Sequence, residues 1–169
     1  MRKIFEEENH IYKIDFTYSI WATDELNTIF HDGKTELSDV DFIAETEDAL
    51  FFVEYKNADI PAALHPEAFN PGGDKKISQV VKKYYDSLTY INAIGKPATK
   101  RKVFIYILEY PNGDIVTRKG IRNRLQDKLP FLLQQQNEFV YKLIDELKVL
   151  SIGEWNEEYP HFPLQKIQG

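Results

Sequence analysis

Residues 38–57 read SDVDFIAETEDALFFVEYKN, two short runs of alternating character on either side of Glu47-Asp48. If the runs pair as a hairpin centred there, paired positions sum to 95. Asp41 then lies opposite Glu54, and Asp39 opposite Lys56. One face carries Asp39, Asp41, Glu54 and Lys56, with Ile43, Leu50 and Phe52 nearer the loop. The other carries Val40, Phe42, Ala44, Phe51, Val53 and Tyr55. This alternation predicts a hairpin buried on one face, with its charges gathered on the other. A slip of one residue would turn the charges toward the core, so the pattern itself argues for this register. Glu47-Asp48 is not a favoured two-residue turn, but a four-residue loop over 46–49 leaves the register unchanged.

Like charges directly opposite on adjacent strands destabilise a sheet, because cross-strand partners sit only ~5 Å apart. A divalent cation between Asp41 and Glu54 reverses that penalty. Hard oxygen ligands suit magnesium or manganese, which take one or two protein carboxylates and complete their shell with water and phosphate oxygens.

The rest of the composition narrows the chemistry. The 169 residues, 43% of them hydrophobic and 14% aromatic, are enough for one domain with a sizeable core. No run approaches the ~18 apolar residues of a membrane span, and MRKIFEEENH lacks the apolar centre of a signal peptide, so a soluble cytoplasmic protein is expected. The absence of cysteine excludes disulfides, thiolate metal sites and a cysteine nucleophile. The four histidines, His10, His31, His65 and His161, show no ligand spacing. Any metal site must be built mainly from oxygen.

The net charge of −6 hides a strong asymmetry. Residues 1–74 hold 5 basic and 17 acidic side chains, residues 75–128 hold 13 and 4, and residues 129–169 hold 3 and 6. The middle segment predicts a basic surface beside an acidic one. A mosaic surface with no partner accounts for the same counts.

Along the chain, residues 4–20 alternate loosely, with Tyr12, Ile14, Phe16, Tyr18 and Ile20 at every second position, and read as one or two strands. Residues 24–30 suit a turn or two of helix. Residues 58–73, with three prolines and Gly72-Gly73, read as a long loop, and loops of that length are commonly functional. Over 75–94, Ile77, Val80, Val81, Tyr84, Tyr85, Leu88, Ile91 and Ile94 follow a helical stripe, with Asp74 as N-cap and Gly95 closing the segment. Lys75 and Lys76 occupy its first turn, where the helix dipole disfavours cations unless a bound anion shares that end. Residues 102–110 (KVFIYILEY) read as a strand buried on at least one face. After the turn Pro111-Asn112-Gly113-Asp114, a short run over 115–117 leads into a helix over 118–133 interrupted at Pro130. A further helix is expected over 137–150, and irregular structure from Gly153 onward.

The order of these elements, together with Asp41 in VDFI and with Glu54 and Lys56 in VEYK, resembles the PD-(D/E)XK nuclease superfamily over roughly residues 36–110. The resemblance implies an α+β fold with a central mixed sheet flanked by helices in a restriction-endonuclease-like αβββαβ core. The whole of 1–169 then forms one nuclease-like domain, with a C-terminal helical part at about 118–150. Val40 stands where the motif has proline.

What the resemblance implies about chemistry is a metal-dependent nuclease, an endonuclease or exonuclease that hydrolyses phosphodiester bonds of nucleic acid, DNA before RNA, with Mg2+ or Mn2+ as cofactor. Asp41 and Glu54 become metal ligands, with the backbone carbonyl of Tyr55 as a third. Lys56 orients or activates the attacking water. Gln79 and Tyr84 match a glutamine or tyrosine that several branches place on the following helix, and Glu36 or Glu25 stands in for the acidic residue of the usual leading helix. Nucleic acid would approach over Lys75, Lys76, Gln79, Lys82, Lys83, Arg118, Lys119 and Arg122. A homodimer fits a superfamily in which two active sites are often paired.

General chemistry is consistent with these roles, since a divalent ion can supply both an activated water and charge stabilisation. Glu54 and Lys56 lie ~6.6 Å apart on one side of a strand, close enough to share a phosphate. Three alternatives stay open. Asp39 and Lys56 can form a surface salt bridge worth under ~1 kcal/mol with Asp41 and Glu54 merely solvated, although Asp39 can also serve as the ligand. The same fold can act as a binding or scaffolding subunit without turnover. The acidic N-terminal part can be an interaction module that mimics nucleic-acid charge.

Overall fold

A computed structural model describes residues 2–61, 63, 65 and 68–169. In chain order the elements are β1 (Ile4–Glu6), β2 (Tyr12–Asp15), β3 (Trp21–Thr23), α1 (Leu26–Asp32), β4 (Phe42–Glu45), β5 (Ala49–Asn57), α2 (Asp74–Ala93), β6 (Arg101–Glu109), α3 (Ile115–Lys128), β7 (Glu146–Leu150), α4 (Ile152–Glu158) and β8 (Leu164–Lys166). They form a five-stranded mixed sheet, ordered β3-β4-β5-β6-β7, and a three-stranded antiparallel sheet, ordered β1-β2-β8. The fold is therefore α+β with flanking helices. Around the large sheet, α1 follows the first strand rather than leading it, so the order there is βαββαβαβ.

The hairpin pairs as its alternation predicts. Phe42 faces Val53, Ile43 faces Phe52, Ala44 faces Phe51 and Glu45 faces Leu50. Thr46 closes the loop, its N–H donating to Ala49 O at 2.8 Å and its Oγ1 accepting from Ala49 N at 3.1 Å. Glu47 and Asp48 are left exposed at the tip.

The hairpin is not half-buried, however. β5 runs parallel to β6, and β6 parallel to β7. Parallel strands need long crossovers that cover both faces of the sheet. On one face, Ile43, Leu50, Phe52, Phe104 and Leu108 pack against Ile77, Val80, Tyr84, Leu88 and Ile91 of α2. Tyr84 sits between two rings there, with centroids 5.0 Å from Phe52 and 4.9 Å from Phe104. On the other face, Phe42, Val53, Tyr55, Ile105 and Ile107 meet Phe5, Ile14, Phe16, Trp155 and Phe162 from the small sheet and the C-terminal part. Glu54 thus lies inside the molecule rather than on a solvated face.

Helix boundaries move in physically legible ways. α2 is capped by Gly73, and Asp74 becomes its first residue, where its carboxylate takes a hydrogen bond from Arg124 of α3. Gly95 adopts φ +82° just beyond the helix, a conformation that glycine tolerates best. α3 begins at Ile115 because Asp114 caps it, accepting from Thr117 N at 2.7 Å. It ends at Lys128, ahead of Leu129 and Pro130, where proline disfavours helical backbone in its predecessor.

The helix expected over 137–150 does not form. Gln134 ties this stretch down, donating from Nε2 to Ile144 O at 2.8 Å and accepting from Leu143 N at 2.9 Å. Residues 146–150 then join β6 as β7, burying Leu147, Val149 and Leu150. Five residues are too few for periodicity to separate strand from helix. The tail is also ordered: Ser151 and Glu154 form a reciprocal capping box at the start of α4, and the buried Trp155 donates from Nε1 to Phe162 O at 2.7 Å.

Candidate active site

The site forms at the C-terminal ends of the parallel strands β5 and β6. β5 carries Glu54 and Lys56. Asp41 stands one residue before β4, and its Oδ2 accepts from Tyr55 N–H at 2.7 Å, so a side chain continues the ladder where backbone pairing stops. The carbonyl of Tyr55 leaves the strand from the same edge as its N–H. Helix α2 holds this approach in place. Val40 N donates to Ser87 Oγ at 3.0 Å, and Ser38 N donates to Asp86 Oδ2 at 2.8 Å.

Asp41 and Glu54 are close enough for a carboxyl–carboxyl hydrogen bond. Burial, and after it the charge of Asp41, pushes the Glu54 carboxyl well above its usual range. Burial also raises Asp41, with hydrogen bonds from Glu54 and Tyr55 and the Lys83 charge opposing the shift. Lys83 of α2 donates to Glu54 Oε2. Burial disfavours its charge, but Glu54 and Asp41 outweigh this and raise its pKa.

Glu54 is 4% exposed, and with both carboxyls ionised its Oε1 has no donor. A proton shared with Asp41 or a cation between the two carboxylates answers that deficit. No group of three or more His, Asp or Glu suited to a metal occurs among the described residues. The donor set is therefore two carboxylates and the Tyr55 carbonyl, which fits magnesium better than a metal that needs an all-protein cage.

Further cations line the same opening. Lys56 Nζ is 3.5 Å from Glu8 Oε1 and 6.0 Å from the centre of the Phe69 ring. Lys76 Nζ lies 5.8 Å from that ring. Burial lowers the Lys76 pKa, as do the charges of Lys56 and Lys83. Gln79 shares a cleft with Phe69, Asn70, Gly73, Lys75 and Lys76.

Several expected residues lie elsewhere. Tyr84 is a core residue whose hydroxyl donates to Leu143 O at 2.6 Å. Asp39 accepts from Asn27 Nδ2 at 3.2 Å and does not pair with Lys56, because the β4 ladder begins only at Phe42. Glu36 is exposed and offers only its backbone carbonyl, to Lys82. Glu25 caps α1 without a side-chain hydrogen bond.

The basic surface also shrinks. Lys82 is bound to Asp86, and Arg122 donates to Leu147 O and Gln126. Arg118 is buried against Leu108 O and Glu109. Lys75 and Lys119 remain exposed, with Lys76 partly so. Sequence reasoning assigned Lys83 to a surface and missed Glu8 altogether. The signal for Lys83 was its place seven residues after Lys76 on one helical face.

No known protein family, curated protein or solved structure matches this chain. Among the described residues, no helix is long and apolar enough to cross a membrane.

Proposed function

We propose that this chain is a magnesium- or manganese-dependent phosphodiesterase of the PD-(D/E)XK type acting on nucleic acid, DNA before RNA. The observation that carries this reading is the meeting of Asp41 and Glu54, two buried carboxyls with raised pKa values, under the ammonium of Lys83, with Lys56 two residues further along β5. Like charges held together in a buried place are a recurrent sign of function rather than stability.

Asp41, Glu54 and the Tyr55 carbonyl would hold the ion, which when bound supplies a water made acidic and a counter-charge for phosphoryl oxygens. Lys83 opposes the upward shift of the Glu54 carboxyl and so favours the ionised form that can ligate. Lys56 is held by a long contact with Glu8 and by the Phe69 ring, which leaves its ammonium able to turn toward a phosphoryl oxygen and offset developing charge. Lys75, Lys76 and Gln79 offer donors to the neighbouring phosphates, which set position rather than base sequence.

The test is cleavage of plasmid, single-stranded DNA and RNA by purified protein with Mg2+ or Mn2+ against EDTA. Glu54→Gln and Lys56→Ala are each expected to lower the rate by at least about 100-fold, the scale of losing a principal electrostatic group. Full activity in either variant rejects the assignment.

A second reading has its own observation. The ammonium of Lys83 already neutralises Glu54, so the same site can serve a nucleic-acid-binding or protein-interaction subunit without turnover. In that case Mn2+ leaves the melting temperature unchanged, whereas an ion at 100 times its Kd adds about 2.7 kcal/mol.

A further inference from the structure

Strand β6 brings Tyr106 to the face that holds Glu54, and Tyr110 follows one residue beyond its end. Tyr106 is the register partner of Glu54 across the parallel β5–β6 ladder. Their side chains therefore rise from the same face, on strands about 4.8 Å apart. Tyr110, four residues on, has the same parity. Tyr106 is only 1% exposed.

Four buried side-chain polar atoms among the described residues have no hydrogen-bond partner: Glu45 Oε2, Glu54 Oε1, Tyr106 Oη and Tyr110 Oη. Glu45 Oε2 has an ion pair, 3.2 Å from Lys96 Nζ. The remaining three all belong to one face at one end of the sheet. Buried polar groups without partners are rare and costly, so a carboxylate oxygen and two phenol hydroxyls left without partners at one end of the sheet call for an explanation. Burial, followed by the charges of Glu54 and Asp41, pushes the Tyr106 phenol far above its usual range, which keeps it an O–H donor. A phenol reaches further from the sheet than a glutamate does, and a bridging water, which needs two to four polar partners, would satisfy both the phenol and the carboxylate oxygen.

We propose that Tyr106 is a positioning residue of the Asp41–Glu54 site, its hydroxyl donating to a sheltered water that in turn donates to Glu54 Oε1, with Tyr110 as the outer partner of that water. The link fixes the Glu54 carboxylate in the orientation that faces Asp41. Its consequence for cation binding rests on the metal-site reading above.

Two measurements on wild type, Tyr106→Phe, Glu54→Gln and the double variant test this. The first is a double-mutant cycle of urea unfolding without metal, in which the two changes are expected to be non-additive. Additivity overturns the link whatever the metal does. The second is a Mn2+ titration followed by electron paramagnetic resonance. Tyr106→Phe, with its melting temperature held or raised, is expected to bind Mn2+ about tenfold more weakly, the usual loss when an outer-shell partner is removed. Unchanged Mn2+ affinity overturns the positioning role. If wild type itself binds no Mn2+, the metal reading and the positioning role toward it both fall, while the cycle still decides the hydroxyl–carboxylate link.

Discussion

Lys83 donates from the middle of α2 to Oε2 of Glu54, so the helix that covers the sheet also delivers a cation to the carboxylate that β5 has buried. Packing and charge are thus one arrangement. The α2 stripe of Ile77, Val80, Tyr84 and Leu88 that docks the helix also fixes where Lys83 can reach.

Removing that cation exposes its worth. Deleting one partner of a fully buried pair costs about 3–5 kcal/mol, and exposed pairs are worth under about 1 kcal/mol. The Glu54 side chain is 6% exposed and that of Lys83 31%, so Lys83→Met is expected to lose about 2 kcal/mol near neutral pH. Urea unfolding measures this, and the loss should shrink in acid as Glu54 takes up a proton. An unchanged midpoint would show that the pair adds nothing.

The raised carboxyl pKa values set a pH dependence with a definite sign. The folded pKa values of Asp41 and Glu54 lie above their unfolded ones. From the ordinary carboxylate range, about 4, up to the raised folded values, the folded protein holds more protons than the unfolded chain. Stability contributed by this pair therefore falls as pH rises through that window. Wild type should lose stability relative to Glu54→Gln as pH rises above the ordinary carboxylate range, by no more than about 1.4 kcal/mol per pH unit for each proton. Unfolding free energies at matched ionic strength check it, and saturating Mg2+ should flatten the slope.

How much of this the sequence shows depends on the kind of signal. The register of Phe42 against Val53 follows from side-chain alternation, because a one-residue slip inverts both faces. The second covering layer does not, since ALFFVEYKN has enough polar residues near its end to look half-solvated while sitting at the centre of the sheet between antiparallel β4 and parallel β6. β7 was unreadable because ELKVL gains strand character only from the edge of β6. α4 is missed as well, its stretch read as irregular structure from Gly153 onward, although Ser151 and Glu154 have the spacing of a capping box. Charge counting over 75–128 failed for a different reason. It cannot see that Lys82, Lys83, Arg118 and Arg124 turn toward Asp86, Glu54, Glu109 and Asp74.

Ser87 anchors the approach to Asp41 from a distance. It is fully buried, and its Oγ accepts the Val40 N–H at 3.0 Å. Ser87→Ala leaves a buried backbone donor unpaired, which costs about 1–3 kcal/mol. Because Val40 adjoins Asp41, metal-dependent cleavage should fall more than the stability loss explains, with KM nearly unchanged. Steady-state kinetics well below the melting temperature, beside urea unfolding, separates the two effects. Equal kcat in both proteins would place Ser87 in the scaffold alone.

Nucleic-acid binding should depend only modestly on salt. Duplex affinity falls with log salt at a slope of about −0.9 per phosphate contact, and thirteen cations over 75–128 suggest a steep line. Most of them pair with protein groups, so Lys56, Lys75, Lys76, Lys119 and Lys128 are the cations left to meet phosphates, and the expected slope is no steeper than about −4.5. Lys75→Ala with Lys76→Ala should flatten it by about 2 and weaken binding equally across sequences, since phosphate contacts carry no base information. Fluorescence anisotropy at several salt concentrations gives both slopes. An unchanged slope in the double variant would move the phosphate path away from the N-terminal end of α2.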